Sequence, residues 1–230
     1  MQLPTSLPTQ TYQVALFSLN PISVNWNILF AALIQLEEFR NGENFIVPAT
    51  ADMPSELPRV ILRSENKIIS CSISLEKIDF FWSNIDDIED FSVSPDDRIA
   101  LVSRVVNNIN SNLLFKRVGS IRNFYLSTQS SDPVKLEILQ DTVTDELRDY
   151  ALRLSYQETI LETKCNYVLD LTSATHVKTG ENLLIVQADI NNHQESVVSW
   201  TLEKIEQFIK EVEPFLGKSL IISRLFPKKI

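Results

Sequence analysis

Glycine is scarce in this sequence: there are four in 230 residues, Gly42, Gly119, Gly180 and Gly217, and none lies near another. A loop that cradles phosphate needs clustered glycines, so that backbone N–H groups can reach the anion without a Cβ in the way. A Walker-type or dinucleotide-binding loop is therefore excluded. Cysteine is rarer still. Cys71 and Cys165 each stand alone in a strand-like run, too few for a disulfide framework and without the CxxC spacing of a zinc site. They read as buried reduced thiols, as a reducing cytoplasm would keep them. Histidine, the usual proton handler near neutral pH, occurs only as His176 and His193, both in expected turns and with no metal-ligand spacing. Basic charge is in deficit, with 21 Lys and Arg against 30 Asp and Glu, for a net charge of −9. That balance opposes general nucleic-acid binding, which works by neutralising phosphates, and favours solubility and basic partners. Arg224, Lys228 and Lys229 read as a solvated basic end.

Charge is also missing from Val14 to Leu36, but Asn20, Pro21, Ser23, Asn25 and Asn27 interrupt that stretch, and lipid penalises such groups. A strand, a turn and a helix account for it better than a membrane span. No basic region opens the sequence, so the expectation is a cytoplasmic protein without membrane contact.

Hydrophobic residues make up 44% and charged residues 22%, a globular balance. Residues 1–10 (MQLPTSLPTQ) read as a flexible arm. Tyr12–Leu19 is an expected strand, ended by Asn20-Pro21, and an almost wholly apolar helix is expected over Val24–Phe39, buried on most faces or lying in an interface. A long irregular loop follows, up to Pro58. Strands are expected at Arg59–Arg63, Lys67–Ile73 and Leu75–Trp82, joined by tight hairpins. Ser94-Pro95-Asp96-Asp97 opens a long helix with a cap, a proline at the first position and two carboxylates suited to the dipole. Its apolar face carries Ile99, Val102, Val105, Val106, Ile109 and Leu113.

This ending recurs. Leu202, Ile205, Phe208, Ile209, Val212 and Leu216 repeat the six positions at one constant separation. Arg122 and Phe124 correspond to Arg224 and Phe226 at one residue less, on strands expected after both long helices. Strands at Arg153–Leu161, Thr163–Thr172 and Asn182–Ile190 mirror the earlier three, and Thr142–Leu152 reads as the counterpart of the early helix. The fold class is α+β: a duplicated strand–helix–three strands–long helix unit, with antiparallel sheet and helices packed on one face. The halves, 11–114 and 115–230, are expected to share one sheet. Two separate small domains are the alternative.

Short motifs add a resemblance. Arg117-Val118-Gly119, Ile121-Arg122-Asn123 and Tyr125 resemble the strand that opens the second half of an uncharacterised, sporadically distributed bacterial family of about this length. Leu57-Pro58-Arg59-Val60, Phe80-Phe81-Trp82 and Leu184–Ile190 with Asp189 are similar as well. The sequence departs from that pattern at Ser120 and Phe124. The resemblance implies the two-part α+β layout and carries over no catalytic residue.

Candidates for chemistry are thin. Asp86, Asp87, Glu89, Asp90, Asp96 and Asp97 lack the glycine and the spacing of a calcium loop and read as solvated. Serine nucleophiles lack the GxSxG elbow. Asp170, Asp189, Glu158 and Glu162 lie on or near strands and are expected to point mostly outward. No catalytic residue, metal or cofactor is expected. Phe80, Phe81 and Trp82, with Phe124 and Tyr125, supply more aromatics than a one-sided core can hold, because neighbours on a strand face opposite ways. Phe81, Trp82 and Tyr125 are therefore candidate partner-binding residues, under a dimer or another protein. Arg117, Arg122 and Arg224 are candidate ligands of a small anion, with Arg122 and Arg224 flanking a groove. Ordinary ion pairing is the plainer account of them. The leading expectation is a non-enzymatic binding or regulatory protein acting through a protein partner or by self-association, in a bacterial accessory system. A small-anion or nucleotide-binding module is second, and an unrecognised hydrolase third.

Overall fold

The computed structural model describes residues 9–48, 50, 52–83, 91–127, 151–175, 180, 182–192 and 199–225. Nine antiparallel strands form one sheet: β1 (Thr9–Ser18), β2 (Phe45–Ile46), β3 (Val60–Arg63), β4 (Ile69–Ile73), β5 (Lys77–Ser83), β6 (Phe115–Ser127), β7 (Ala151–Ile160), β8 (Thr163–Thr175) and β9 (Asn182–Asn192). Helices α1 (Trp26–Leu33), α2 (Pro95–Asn110), α3 (Leu202–Glu211) and α4 (Lys218–Leu225) complete the described elements. The strand order is β2-β3-β4-β5-β1-β6-β9-β8-β7. Apart from the short β2, it reads alike from both edges. On each side of the central β1–β6 pair lie the last, the middle and the first strand of a three-strand meander. The sheet thus contains strands from 11–114 and from 115–230.

Alternation sets the core. Tyr12, Val14 and Leu16 on β1, Phe80 and Trp82 on β5, Phe124 on β6 and Val186 on β9 are buried in one hydrophobic cluster. Leu29 and Leu33 of α1, Val102 and Val105 of α2, Phe208 of α3 and Ile221 of α4 belong to the same cluster. The two long helices run antiparallel across one another. Ser103 Oγ donates to Glu206 Oε1 at 2.6 Å, and Lys210 pairs with Asp96 at 3.2 Å. Ser103 and Glu206 are separated by the same interval as the repeated apolar positions, so the helices cross where one position meets its own counterpart.

Local signals explain the element ends. Ser94 caps α2, accepting from the Asp97 N–H, and Thr201 caps α3, accepting from the Lys204 N–H. β1 begins at Thr9, which is buried, so the strand takes in the end of the expected arm. The expected Val24–Phe39 helix is regular only to Leu33. Beyond it Leu36, Phe39 and Gly42 donate to carbonyls three residues back, and this tighter winding carries Phe39 into the core. α1 is not buried on most faces: only Leu29 and Leu33 are, and Ile28 is 69% exposed.

The second half departs from the expected order at its end. The strand expected around Arg224 is a helix, because Gly217 closes a turn on the Pro214 carbonyl and the Ile221 N–H then bonds the Gly217 carbonyl. Phe226 lies outside the described residues. So does most of the expected Thr142–Leu152 helix, whose last two residues instead open β7.

Candidate functional site

Three groups of side chains concentrate charge and aromatic surface. The first is at the seam between the halves. Arg98 lies on the inward face of α2 and is 0% exposed. Its Nη2 donates to Glu213 Oε2, just past α3, and its guanidinium sits 4.6 Å from the Tyr12 ring centroid. Arg122 on β6 stacks on the same ring at 4.6 Å and lies 5.0 Å from the Phe124 centroid. Its Nη1 lies 3.4 Å from Glu213 Oε1 and 3.4 Å from the Leu216 carbonyl, and Nε and Nη2 donate to Thr9 Oγ1 at 3.2 and 2.8 Å. One carboxylate thus holds two arginines, and both guanidiniums lie against the Tyr12 ring. Arg98 Nε and Nη1 are buried without a hydrogen-bond partner.

The second group is near the β7 edge. Arg224 on α4 lies 4.4 and 4.5 Å from the Tyr156 and Tyr167 centroids and pairs with Glu158 at 2.5 Å. Burial pushes the Tyr167 phenol well above its ordinary range, against the pull of Arg224.

The third covers the other face of the sheet. In register, Phe81 faces Gln13, Gln13 faces Ile121, Ile121 faces Asp189 and Asp189 faces Val168, a row across five strands. Charges frame it. Lys77 pairs with Asp79 at 2.8 Å, Gln13 Nε2 donates to Asp79 Oδ1 at 2.9 Å, and Arg153 pairs with Asp170 at 3.2 Å. Lys77 and Arg117 lie 5.0 and 5.3 Å from the Phe17 centroid. Burial raises the Asp189 carboxyl above its ordinary range, while the Asn191 amide, donating at 3.0 Å, and then Arg117 and Arg153 pull it down.

The six residues singled out from the sequence are therefore divided. Phe81 and Arg117 lie on the other face, half-buried, and Tyr125 lies there too but buried, 6% exposed. Trp82 is a core residue, 2% exposed and stacked on Phe80 at 6.1 Å, so it offers no surface to a partner. Strand alternation sends Phe80 and Trp82 inward together and Phe81 outward. Arg122 lies at the seam and Arg224 near the β7 edge. They have different partners, each includes a carboxylate, and Arg224 is on a helix rather than a strand. Of the strand carboxylates, Asp170 and Asp189 point to the other face. Glu158 points inward to Arg224, because it shares the inward phase of Leu154 and Tyr156. Asp86, Asp87, Glu89, Asp90, His176 and His193 lie outside the described residues.

Arg98 and Glu213 escaped sequence reasoning. A signal existed for Arg98, since it precedes Leu101, Val102 and Val105 by the three-, four- and seven-residue steps of a helix face, so a charge sits in the apolar stripe. Nothing local marks Glu213.

Burial holds both described thiols in their protonated form. Burial pushes the Cys165 thiol up to about 11 and raises Cys71 further still. Among the described residues no three His, Cys, Asp or Glu are grouped to hold a metal ion. No helix there is long and apolar enough to cross a membrane. Cavities of about 290 Å³ beside Ile22 and Leu113, and about 390 Å³ beside Trp82 and Asp97, are lined without histidine or cysteine. The sequence matches no protein-family model and no curated protein.

Proposed function

We propose that this protein is a non-enzymatic binding or regulatory protein of the bacterial cytoplasm. In this reading it acts through a protein partner, on a duplicated scaffold whose helices cover one face of the sheet. The mirrored strand order and the crossing of α2 and α3 at Ser103 and Glu206 support the duplication. The family resemblance, with its place in an accessory system, is part of the same proposal.

The observation that carries the binding reading is the row on the face opposite the core. Phe81 and Ile121 are half-buried apolar side chains in this row, on either side of Gln13, and the nearby Lys77–Asp79 and Arg153–Asp170 charges are paired. Apolar side chains set among polar ones are the anatomy of a protein interface, where aromatic anchors supply most of the affinity. The net charge of −9 steers a basic partner towards it.

The test is retention of proteins from host-cell extract on the immobilised full chain. Phe81→Arg and Ile121→Arg, which point to this face, abolish retention of the partner. Ile28→Arg, on the exposed side of α1, does not. Equal retention by all three variants refutes the reading.

A second reading, small-anion binding, is favoured by one observation: Arg98 keeps two buried nitrogen atoms without hydrogen-bond partners beside Arg122. Saturating ligand raises stability by RT ln(1 + [L]/Kd). An unchanged melting temperature with millimolar phosphate or nucleotide ends this reading.

A further inference from the structure

The two edges of the sheet differ. One is blunted: β2 has two residues, and Pro48 follows it closely. The other is β7, ten residues long, with neither proline nor glycine and in unbroken register with β8 from Ala151 to Ile160. Among the described residues β8 is its only strand partner. Antiparallel pairing uses the backbone groups of alternate residues on each side, so β7 presents a row of donors and acceptors along about 30 Å of edge. Soluble proteins guard such edges with lysine, proline, bulges or short strands. The exposed side of β7 has one charge, Arg153, and otherwise Ala151, Ser155, Gln157 and Thr159. On its inward side Leu152, Leu154 and Tyr156 are only half-buried, so the core cover thins out where the edge begins.

We infer that β7 is a self-association edge, on which a second copy of this chain pairs antiparallel to extend the sheet across a twofold axis. An axis perpendicular to the sheet requires paired residues to share a face, which admits central registers about Ser155 or about Tyr156. About Ser155, Arg153 meets the partner's Gln157 and Leu154 meets its Tyr156. About Tyr156, Arg153 meets Thr159, and the two tyrosines meet each other. Neither register sets like charges opposite; the Ser155-centred one buries Leu154 of each copy against Tyr156 of the other, whereas the Tyr156-centred one stacks the tyrosines and sets Leu154 against Glu158. The edge is thus complementary to itself in charge and in apolar surface. This surface is the sheet edge, and the inference does not rest on the reading of the sheet face.

Sedimentation velocity of the full chain across the micromolar range tests it. The wild type is expected to shift from monomer to dimer as concentration rises. Ser155→Lys with Gln157→Lys puts ammonium groups on the exposed side of the edge without touching the core. It weakens the dimer by about tenfold or more while circular dichroism and melting temperature stay unchanged. Ser155→Cys provides a register readout: oxidation gives a covalent dimer with the Ser155-centred register and little with the other. A wild type that stays monomeric at the highest concentration overturns the inference, and so does a dimer whose dissociation constant the lysine pair leaves unchanged.

Discussion

Removing the Glu213 carboxylate is the sharpest test of how the halves are held together. Arg122 has other partners, since Thr9 Oγ1 and the Leu216 carbonyl still accept from it. Arg98 has no such reserve. Glu213 accepts its one hydrogen bond, its other two nitrogens are unpartnered, and the residue is fully buried. Glu213→Ala therefore strands a buried guanidinium against the Tyr12 ring, and breaking a buried pair from one side costs about 3–5 kcal/mol. For a chain of this size that corresponds to roughly 10 °C in melting temperature. Removing the other partner is milder. Arg98→Met keeps the apolar stem, deletes the buried charge and leaves a Glu213 side chain that is 29% exposed and can turn to water. Its cost is about 1–2 kcal/mol, set by lost stacking on Tyr12. Once Arg98 is gone little is left to strand, so the double variant falls close to Arg98→Met, with a coupling about as large as the Glu213→Ala cost, about 3–5 kcal/mol. Equilibrium urea unfolding followed by tryptophan fluorescence measures all three, since Trp82 and Trp200 are buried, and coincident circular dichroism checks two-state behaviour. A Glu213→Ala variant no less stable than Arg98→Met would refute the argument.

Three further outcomes are expected. The β7–β8 turn has φ of 48° at Leu161 and 60° at Glu162, left-handed positions that tax both side chains. Replacing the pair with Asn-Gly should add about 1–2 kcal/mol to unfolding stability, and an unchanged urea midpoint contradicts this. A Cβ at Gly42 would overlap the Arg63 carbonyl oxygen, so Gly42→Ala should cost more than about 2 kcal/mol, seen as a lower melting temperature; a tolerated alanine means the approach is not close. Asp189 has its folded-state value raised by burial, so wild-type stability is lost as pH rises from the unfolded value through the folded one. Asp189→Asn removes that loss and still accepts from Asn191. Its advantage in melting temperature should grow from pH 3 to pH 7, and an advantage that shrinks over that range contradicts the burial argument.

Much of the fold was legible because its signals are local. The two three-strand meanders show as alternating runs broken by short polar turns, and α2 shows as an apolar stripe behind Ser94-Pro95-Asp96-Asp97. That some aromatics of Phe80-Phe81-Trp82 must leave the core also followed from alternation. Which ones leave did not, since either phase satisfies the pattern. Arg224 was misplaced for a similar reason. Lys218–Leu225 is too short for a strand period and a helix period to be told apart, and the turn at Gly217 decided it. Pairing two arginines by repeat position says nothing about the carboxylates that reach them in the fold.

Composition and periodicity alone determined the acidic balance, the absence of a phosphate loop, the α+β class and most element boundaries, since these depend on residue type and spacing within a few turns of chain. Only the tertiary structure decided that β1 joins β6, and with it which charges meet. Arg98 and Glu213 are 115 residues apart, and no local pattern couples them. They meet because the sheet closes at that seam and leaves a buried guanidinium one carboxylate within reach.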